Sequence, residues 1–507
     1  MNFSLPAVFS GPARKRWVAF VAGSALVLSF QPFALVWLAP LSLACLILLW
    51  EGTAARQAAW IGYCYGLGLF TAGTYWLYIS LNILGGLWPP VALLMMFCLV
   101  AALAAYVALT GYLAVRIVPA SGLLRWLLVI PAVWTLTEWL RGWLFTGFPW
   151  LSIGYSQVET PLGAVAPVLG VYGVTLVSVL CAGVVVCLVQ GAYLARIVVF
   201  ALSALALTGL LNLRDTEWTQ VVAKDLRITL VQGAVPQELK WQPQQLEPTL
   251  KLYQEMSNGQ GDRDLIIWPE AAIPALPFEV PEFLMSLNEQ MVSTDTQLFA
   301  GILTYDIELG EYKNTLWAMG AEEGKYFKRH LVAFGEYFPL PDFAKKILRI
   351  MNLPSESIMP GAEYQPLLLV KGVPVAATIC YEIAFAAEQL AFFPTAQLMV
   401  NVSNDAWFGD SIAPHQHLQI GQMRALEAGR YLLRATNTGI TAIVNPRGQV
   451  TERIPQFEPG VINAVVQPYT GATPFVRMGN GPLIAGLFVV IAMVGLFRLF
   501  AGGASRR

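Results

Sequence analysis

The chain has 507 residues, of which 56% are hydrophobic and only 12% are charged, and its net charge is −1. Ordinary soluble proteins carry about 25% charged residues, so this composition excludes an ordinary soluble protein and predicts a membrane protein. A net charge so close to zero, with no basic stripe that also carries aromatic residues, gives no indication of a nucleic-acid partner.

Four long stretches of the N-terminal part contain no charged residue: 17–50, 57–115, 160–195 and 197–213. A helix needs about 20 residues to cross a bilayer. The second stretch is therefore expected to cross twice, with a break at the sequence NILGGLWPP, and the first to form two short spans that turn at Gln31-Pro32. The pattern predicts seven spans before residue 214 and an eighth at 481–497.

The lysine and arginine residues beside these spans fall mainly on one predicted side: Arg14, Lys15, Arg16, Arg56, Arg116, Arg125, Arg196, Arg506 and Arg507. Loops rich in these residues face the cytoplasm. Only Arg141 is expected in a short loop on the other side. The soluble-looking block from 214 to 477 is therefore expected outside. The first apolar segment is expected to stay as a span rather than be cleaved as a signal peptide, because further spans follow.

Five of the six cysteines lie in predicted spans, where a thiol is ordinarily a small buried apolar group. Cys380 alone lies in the outer block. An oxidising compartment favours disulfides, yet Cys380 has no partner in its own domain. Such a cysteine is either buried and inert or a reactive thiol.

Short apolar runs rich in β-forming residues recur through the outer block, separated by polar stretches typical of helices. These runs begin near residues 226, 265, 298, 373, 398 and 439. They predict an α/β or α+β domain, with functional groups at the strand ends and on the loops beyond them. Glu270 follows the run LIIWP, so its carboxylate is expected at a strand tip, where it suits a general base, although a surface carboxylate in a turn is the alternative.

The stretch KYFKRHLVAFGEYFPLP supplies Lys328, His330 and Glu336. It is either a solvated loop or part of a site, and its interleaved aromatic residues are costly to expose. His330 is a candidate base for Cys380, as in Cys-His pairs. His415 and His417 are too few to hold a metal ion, which needs three or four ligands, so no metal is expected.

Three motifs occur in the order and approximate spacing of the nitrilase superfamily: WPE at 268, Lys328 ahead of HLVAFGE, and ICYE at 379. That superfamily uses a Glu-Lys-Cys triad, so the resemblance implies Glu270, Lys328 and Cys380 as catalytic residues. With VPQELKW at 235 and NVSNDAWFGDS at 401, nearly the whole chain resembles the apolipoprotein N-acyltransferase family of membrane enzymes. Ala333 stands where that family usually has proline before FGE.

The resemblance implies a bundle of about eight transmembrane helices that carries an α/β nitrilase-like αββα sandwich. The expected division is 1–213 for the N-terminal spans, 220–470 for the catalytic domain and 478–500 for the C-terminal helix. The implied supporting residues are Glu336, Tyr381 and Glu382 around the triad, with Trp241 as a substrate contact. The backbone N–H of Tyr381 is expected to join Lys328 in stabilising the oxyanion.

The implied reaction moves an acyl chain from a phospholipid, with phosphatidylethanolamine as the expected donor, through a thioester on Cys380. The acceptor is the α-amine of the N-terminal diacylglyceryl-cysteine of an apolipoprotein. The implied location is the bacterial inner membrane with the catalytic domain in the periplasm, and no cofactor is needed. Two alternatives stay open: a membrane-tethered amidase or nitrilase that hands the acyl group to water, and a transporter with an outer regulatory domain.

Two further segments have two interpretations each. The stretch 342–354 mixes apolar and basic residues and predicts an interfacial helix or lid, or a plain amphipathic surface helix. The stretch 139–155 is dense in Trp and Phe and predicts an aromatic belt, or a lipid-facing access route to the active site.

Overall fold

The computed structural model describes residues 11–259, 262–333, 335–337 and 358–504, and the chain divides into two compact units. The first unit contains the chain up to Glu217, the segment Asp410–Gln419 and the chain from Thr473 onward. The second unit contains Trp218–Gly409 and Ile420–Ala472. The predicted interfacial helix at 342–354 lies outside the described residues.

The first unit is helical. Its helices are α1 (Pro12–Leu26), α2 (Leu38–Leu49), α3 (Ala55–Gly73), α4 (Trp76–Tyr78), α5 (Pro89–Ile117), α6 (Ile130–Arg141), α7 (Ala166–Gln190), α8 (Tyr193–Arg214), α14 (Pro474–Met478) and α15 (Gly481–Ala504). Gln31-Pro32 lies between α1 and α2, and α5 begins inside NILGGLWPP with Pro89 in its first turn, where proline is favoured. Both predicted breaks are confirmed.

Four of the described helices are long and apolar enough to cross a bilayer: α5, α7 with the turn before it (Pro161–Gln190), α8, and α15 over Gly481–Arg498. Helix α3 and the segment Trp76–Leu84 are bent by 55° and add a fifth if they count as one span. Helices α1, α2 and α6 have only 15, 12 and 12 residues. Several apolar helices fit a membrane protein, and the number of eight spans stays a prediction.

Glycines allow α1 and α3 to pack closely. A Cβ atom added to Gly68 would lie 2.0 Å from the carbonyl oxygen of Phe20, and one added to Gly23 would lie 2.0 Å from that of Tyr65. Small residues at helix crossings let two backbones approach in this way. A larger side chain at either position would push the two helices apart.

Arg141, expected in a short loop, is instead the last residue of α6 and is buried. Its guanidinium donates to the carbonyl oxygens of Phe148 at 2.5 Å and Trp150 at 2.6 Å, and lies 4.0 Å from the Glu138 carboxylate. The aromatic-rich stretch 139–155 therefore folds back around a buried cation, while Phe145 stays 87% exposed.

The second unit contains two six-stranded sheets and a small ribbon of β1 (Thr219–Val221) with β14 (Tyr469–Gly471). The first sheet has the order β13-β2-β3-β4-β5-β6 and the second β12-β11-β10-β9-β8-β7. The strands are β2 (Leu226–Gln232), β3 (Leu265–Ile267), β4 (Gln297–Asp306), β5 (Glu311–Met319), β6 (Gly324–Phe327), β7 (Leu368–Val370), β8 (Val373–Ile379), β9 (Leu398–Ser403), β10 (Leu432–Thr436), β11 (Thr441–Val444), β12 (Val450–Ile454) and β13 (Gly460–Val466). All six predicted runs are strands: β2, β3, β4, β8, β9 and β11.

Helices cover the outer faces of the two sheets. They are α9 (Gln237–Lys240), α10 (Pro243–Ser257), α11 (Pro281–Ser293), α12 (Ala386–Gln389) and α13 (Ala413–Ala428), the last divided between the units after Gln419. Tyr253 of α10 and Leu287 of α11 share an apolar core with Trp268. A Cβ added to Gly421 of α13 would meet Leu432 at 2.9 Å. With β2 in contact with β10 and β5 with β8, the layers are helix, sheet, sheet and helix, and the predicted α/β sandwich is confirmed.

Each sheet has three parallel strands at its centre: β2, β3 and β4 in the first, and β8, β9 and β10 in the second. The carboxyl ends of parallel strands meet at one edge, where loops commonly carry functional groups. Glu270 follows β3, Cys380 follows β8, and Lys328 follows β6.

Candidate active site

The three predicted catalytic residues lie together in the second unit. The Nζ atom of Lys328 is 3.7 Å from Glu270 Oε1, and the charges of both residues act on the Cys380 thiol. All three side chains are buried, with Glu270 8%, Lys328 1% and Cys380 8% exposed. The structure thus joins three segments that are far apart in the sequence into one cluster of a carboxylate, an ammonium and a thiol.

Glu270 is held by three neighbours. Its Oε1 accepts a hydrogen bond from Asn314 Nδ2 at 2.7 Å, and its Oε2 accepts one from the backbone N–H of Asn404 at 2.8 Å. The buried ammonium of Lys240 donates to the backbone carbonyl of Glu270 at 3.2 Å. These bonds fix the carboxylate at the end of β3, where the strand-tip prediction puts it.

Lys328 lies between two carboxylates, because Glu336 Oε1 accepts a hydrogen bond from its Nζ at 2.7 Å. Burial disfavours the ammonium form, but Glu336, Glu270 and Cys380 outweigh burial and raise the pKa of Lys328. The residue therefore stays cationic across the physiological range. Glu336 is itself fixed by the Val332 N–H, which donates to Oε2 at 2.8 Å, and its supporting role stays a prediction.

Cys380 sits at the start of a short turn (Cys380–Ala384) that follows β8. Its φ of 55° is in the left-handed region, a strained conformation for a residue with a Cβ and one that recurs at functional sites. Burial and the nearby Glu270 carboxylate raise the pKa of the thiol, and Lys328 opposes them. The resting thiol is thus protonated near neutrality and needs a base to become a nucleophile.

Glu382 ties the Cys380 turn to the segment that carries Lys328. Its buried carboxylate accepts from the backbone N–H groups of Ile379 at 2.6 Å, Arg329 at 2.6 Å and His330 at 3.1 Å. The Tyr326 hydroxyl donates to it as well, at 3.1 Å. Burial raises the pKa of Glu382, and these donors act against that rise. One side chain thus bonds the residue before Cys380 and the two residues after Lys328, and its role in catalysis stays a prediction.

The His330 ring is held by Phe385 and Glu388. Its ring stacks on Phe385 at 3.5 Å between centroids, its Nδ1 lies 2.7 Å from Glu388 Oε1, and Tyr381 meets it edge-on at 5.9 Å. These contacts disfavour the Cys-His alternative, because the two groups whose charges act on Cys380 most strongly are Glu270 and Lys328. Tyr381 also packs edge-on against Phe385 at 5.0 Å.

The other candidates lie elsewhere. Trp241 follows α9 and is 48% exposed, so its substrate contact stays a prediction. His417 is buried against Trp150 in the first unit, with ring centroids 5.5 Å apart. Within the described ranges, no group of three or more His, Cys, Asp or Glu side chains is placed to hold a metal ion.

Sequence reasoning missed three neighbours of Glu270: Asn314, Lys240 and the Asn404 N–H. Lys240 and Asn404 lie in VPQELKW and NVSNDAWFGDS, the motifs that carry the family resemblance, so the motifs were a signal for both residues. Asn314 had no signal, because β5 was not predicted as a strand.

Comparison with known proteins assigns both parts of the chain. Residues 22–184 match the apolipoprotein N-acyltransferase N-terminal domain, and residues 227–475 match the carbon-nitrogen hydrolase family. Among solved structures, the chain is similar to Nit3 of Saccharomyces cerevisiae, a member of branch 10 of the nitrilase superfamily, with 16% identity and a TM-score of 0.38 over 50% of this chain and 93% of that one.

Two curated relatives match nearly the full length. The apolipoprotein N-acyltransferase of Methylococcus capsulatus is 43% identical over 474 residues, covering 92% of this chain and 93% of the relative. That of Nitrosomonas europaea is 42% identical over 490 residues, covering 96% of this chain and 97% of the relative. The chain therefore belongs to the apolipoprotein N-acyltransferase family.

Proposed function

We propose that this chain transfers an acyl chain from a membrane phospholipid to the N-terminal α-amine of a diacylated apolipoprotein, with Cys380 as the nucleophile. One observation carries the proposal: Glu270, Lys328 and Cys380 form a single buried cluster. The names of the relatives supply the acceptor class. The apolar helices of the first unit support a lipid donor. Each CH₂ group exposed to water costs about 0.8 kcal/mol, so an acyl chain is transferred at lower cost by an enzyme that lies in the membrane.

In the acylation step, Glu270 takes the proton from the Cys380 thiol and the sulfur attacks the ester carbonyl of the phospholipid. The carbon–oxygen bond then breaks, Glu270 returns the proton to the leaving alkoxide, and a lysophospholipid departs. The thiol starts protonated because burial raises its pKa. A positioned base is therefore required, and the fixed Glu270 carboxylate fits that role.

In the transfer step, the α-amine of the acceptor attacks the thioester carbonyl and gives a proton to Glu270. The carbon–sulfur bond breaks, the amide product leaves, and Glu270 returns the proton to the released Cys380 sulfur. Lys328 stays cationic throughout, so it stabilises the oxyanion in both steps, with the backbone N–H of Tyr381 as the proposed second donor. Loss of one such donor costs about 2.7–4 kcal/mol in the transition state.

The proposal includes a location and a donor. The basic loops support the bacterial inner membrane with the catalytic domain (220–470) in the periplasm, between the N-terminal spans (1–213) and a C-terminal helix (478–500). Phosphatidylethanolamine is the proposed donor. A thiol introduced at the exposed Glu308 in a Cys380→Ala background should react with an impermeant maleimide in cells with an opened outer membrane. Reaction only after the inner membrane is broken would refute the orientation.

The test of the reaction uses purified enzyme in phosphatidylethanolamine vesicles. Intact-mass spectrometry should show one acyl chain added per enzyme, hydroxylamine should remove it, and Cys380→Ala should show neither. Addition of a diacylated lipopeptide should discharge the acyl-enzyme and yield an N-acylated peptide, as ping-pong chemistry requires. Continuous release of free fatty acid without acceptor would identify a hydrolase instead. Vesicles of phosphatidylglycerol, compared side by side, test the proposed head group.

A further inference from the structure

Ser403 places a buried hydroxyl beside the nucleophile. Strands β8 and β9 run parallel with Ile379 opposite Val402, so the next residues, Cys380 and Ser403, are neighbours at the carboxyl ends of the two strands. Ser403 is fully buried. Burial and Glu270 raise the pKa of the Cys380 thiol, and the Ser403 hydroxyl acts in the opposite direction. The mechanism above assigns no task to this hydroxyl.

The Ser403 hydroxyl also bonds Asp405, which forms a buried ion pair with Arg434. The Ser403 hydroxyl donates to Asp405 Oδ1 at 2.7 Å, and Asp405 Oδ2 accepts from Arg434 Nη2 at 2.8 Å. Both charged side chains are fully buried. Arg434 also donates to Asn401 Oδ1, and Asn401 Nδ2 lies 3.4 Å from the carbonyl oxygen of Cys380. The network therefore joins the ends of β8, β9 and β10 behind the thiol.

The single hydroxyl proton can serve only one partner at a time. When Cys380 is a neutral thiol, the Ser403 proton goes to Asp405, as the 2.7 Å bond indicates. When the sulfur is anionic, Arg434 still satisfies Asp405, so the hydroxyl can turn toward the sulfur without leaving a buried carboxylate unpaired. An unpaired buried Asp405 carboxylate would be strongly destabilising, and the Arg434 ion pair prevents this when the Ser403 hydroxyl turns away.

We propose that Ser403 is a further catalytic residue, whose hydroxyl donates a hydrogen bond to the Cys380 sulfur whenever that sulfur is anionic, with Asp405 and Arg434 as positioning residues. This rests on the proposed role of Cys380 as the nucleophile. Ser403 keeps its proton in every step. Glu270 removes the thiol proton before attack on the ester, and in the second step the carbon–sulfur bond breaks and returns the thiolate, so the same hydrogen bond acts at both stages.

The size of the effect follows from two opposing terms. A hydrogen bond that lowers the pKa of a thiol by about one unit raises the thiolate fraction about tenfold, while it lowers the intrinsic nucleophilicity about threefold. The net gain in attack is about threefold. The shift of the pH profile is therefore a sharper readout than the rate at one pH. The charged groups that act on Cys380 from neighbouring elements are Glu270, Lys328 and Asp405, and all three are unchanged in the variants below.

The experiment measures alkylation of Cys380 by iodoacetamide between pH 6 and pH 10 in the full-length enzyme, quantified on the Cys380 peptide by mass spectrometry. This range lies below the raised pKa of the thiol, so the rate rises with pH throughout. In Ser403→Ala the whole profile should move to higher pH, with a rate about threefold lower at each pH, since loss of a hydrogen bond to a charged group raises the pKa by about one unit and the gain in nucleophilicity offsets part of that rise. Ser403→Thr keeps the hydroxyl and should restore the profile.

Thr436 provides the matched control. It lies opposite Ser403 on β10 and is fully buried, but its hydroxyl bonds Gln232 and Thr441. Thr436→Val should leave the alkylation profile of Cys380 unchanged. If Ser403→Ala does not fold, judged by thermal unfolding, Ser403→Val replaces it. Valine has nearly the shape of threonine but no hydroxyl, so the same upward shift is expected at the Cys380 peptide.

An unchanged profile in a folded Ser403→Ala or Ser403→Val enzyme would overturn the proposal, as would a Thr436→Val shift of equal size. Failure of the proposed function looks different. In that case Ser403→Ala would still shift the alkylation profile of Cys380 as expected, but the wild-type enzyme would form no thioester with phospholipid vesicles.

Discussion

The helical unit and the sheet unit both bury charged side chains, but they assemble them differently. In the helical unit, Glu138 and Arg141 lie three residues apart on α6. Their hydrogen bonds go to nearby backbone groups and to the side chains of Trp134, Ser152 and Thr175. In the sheet unit, Glu270 and Lys328 come from different strand ends and converge on the Cys380 thiol.

The difference shows that burial of charge does not by itself indicate a reactive site. The carboxylate of Glu138 accepts from Thr175 at 2.5 Å and from the Ile153 N–H at 3.1 Å, which anchors a loop against a helix. Glu270 is equally well held, but it lies beside a thiol in a strained turn. Convergence of separate segments on one thiol distinguishes the second cluster, and the following predictions test that distinction.

The largest effect is expected from loss of the thiol. Cys380→Ala should reduce acyl transfer by about 10⁴-fold or more, because removal of a nucleophile leaves only the background reaction. Cys187, a buried thiol of α7, is the control, and Cys187→Ala should keep its specific activity. Transfer of labelled acyl chains to a lipopeptide measures both variants. Equal losses in the two would remove the distinction between the units.

Exchange of one carboxylate in each unit tests the comparison directly. Glu270→Gln keeps the size of the side chain but removes the base, so acyl transfer should fall by about 10²–10⁴-fold with little change in thermal unfolding. Glu138→Gln leaves Arg141 without its carboxylate and should lower the free energy of unfolding by about 1–3 kcal/mol, while the folded enzyme keeps its specific activity. The comparison fails if Glu138→Gln is the inactive and stable variant.

Much of this architecture could be predicted from the sequence, for identifiable reasons. Cys380 and Glu270 follow short apolar runs, so their place at strand ends follows from local pattern, and the motif order supplies Lys328. The network of Ser403, Asp405 and Arg434 could not be predicted. It depends on β8, β9 and β10 being neighbours, and β10 was not among the predicted strands. Every residue except proline has a backbone N–H, so the residue type at position 404 does not predict that its N–H binds Glu270.

Lys240 and Lys328 are two buried lysines beside one carboxylate, and they differ in pKa. Burial lowers the pKa of Lys240 to about 8, and Glu270 opposes that fall only in part. Below pH 8 the folded protein holds a buried ammonium that the unfolded chain holds in water, so Lys240 costs stability there. Between about pH 8 and 10.5 the unfolded state binds more protons, and stability rises with pH.

Wild-type enzyme should therefore gain stability relative to Lys240→Met as the pH rises from 7 to 10, by an amount on the order of 3 kcal/mol. Thermal or denaturant unfolding of both proteins at several pH values measures the gap. Lys251, an exposed lysine of α10, is the control, and Lys251→Met should show a gap that does not change with pH. A constant gap for Lys240→Met as well would show that its ammonium is not destabilised by burial.

The smallest effect is expected at His330, which tests whether the cluster needs a histidine at all. The ring stacks on Phe385 at 3.5 Å and Nδ1 meets Glu388 at 2.7 Å, while only the backbone N–H of His330 reaches the Glu382 carboxylate that orients the Cys380 turn. His330→Ala keeps that backbone bond, so acyl-enzyme formation should stay within about threefold of wild type, and the lost packing should cost about 1 kcal/mol of stability. His330→Phe keeps the stack without the Glu388 contact and should recover part of that stability. Thioester yield by intact mass, measured together with thermal unfolding, separates the two effects. If a stable His330→Ala enzyme forms no thioester while Glu270→Gln still does, the histidine is the base and the assignment of Glu270 is wrong.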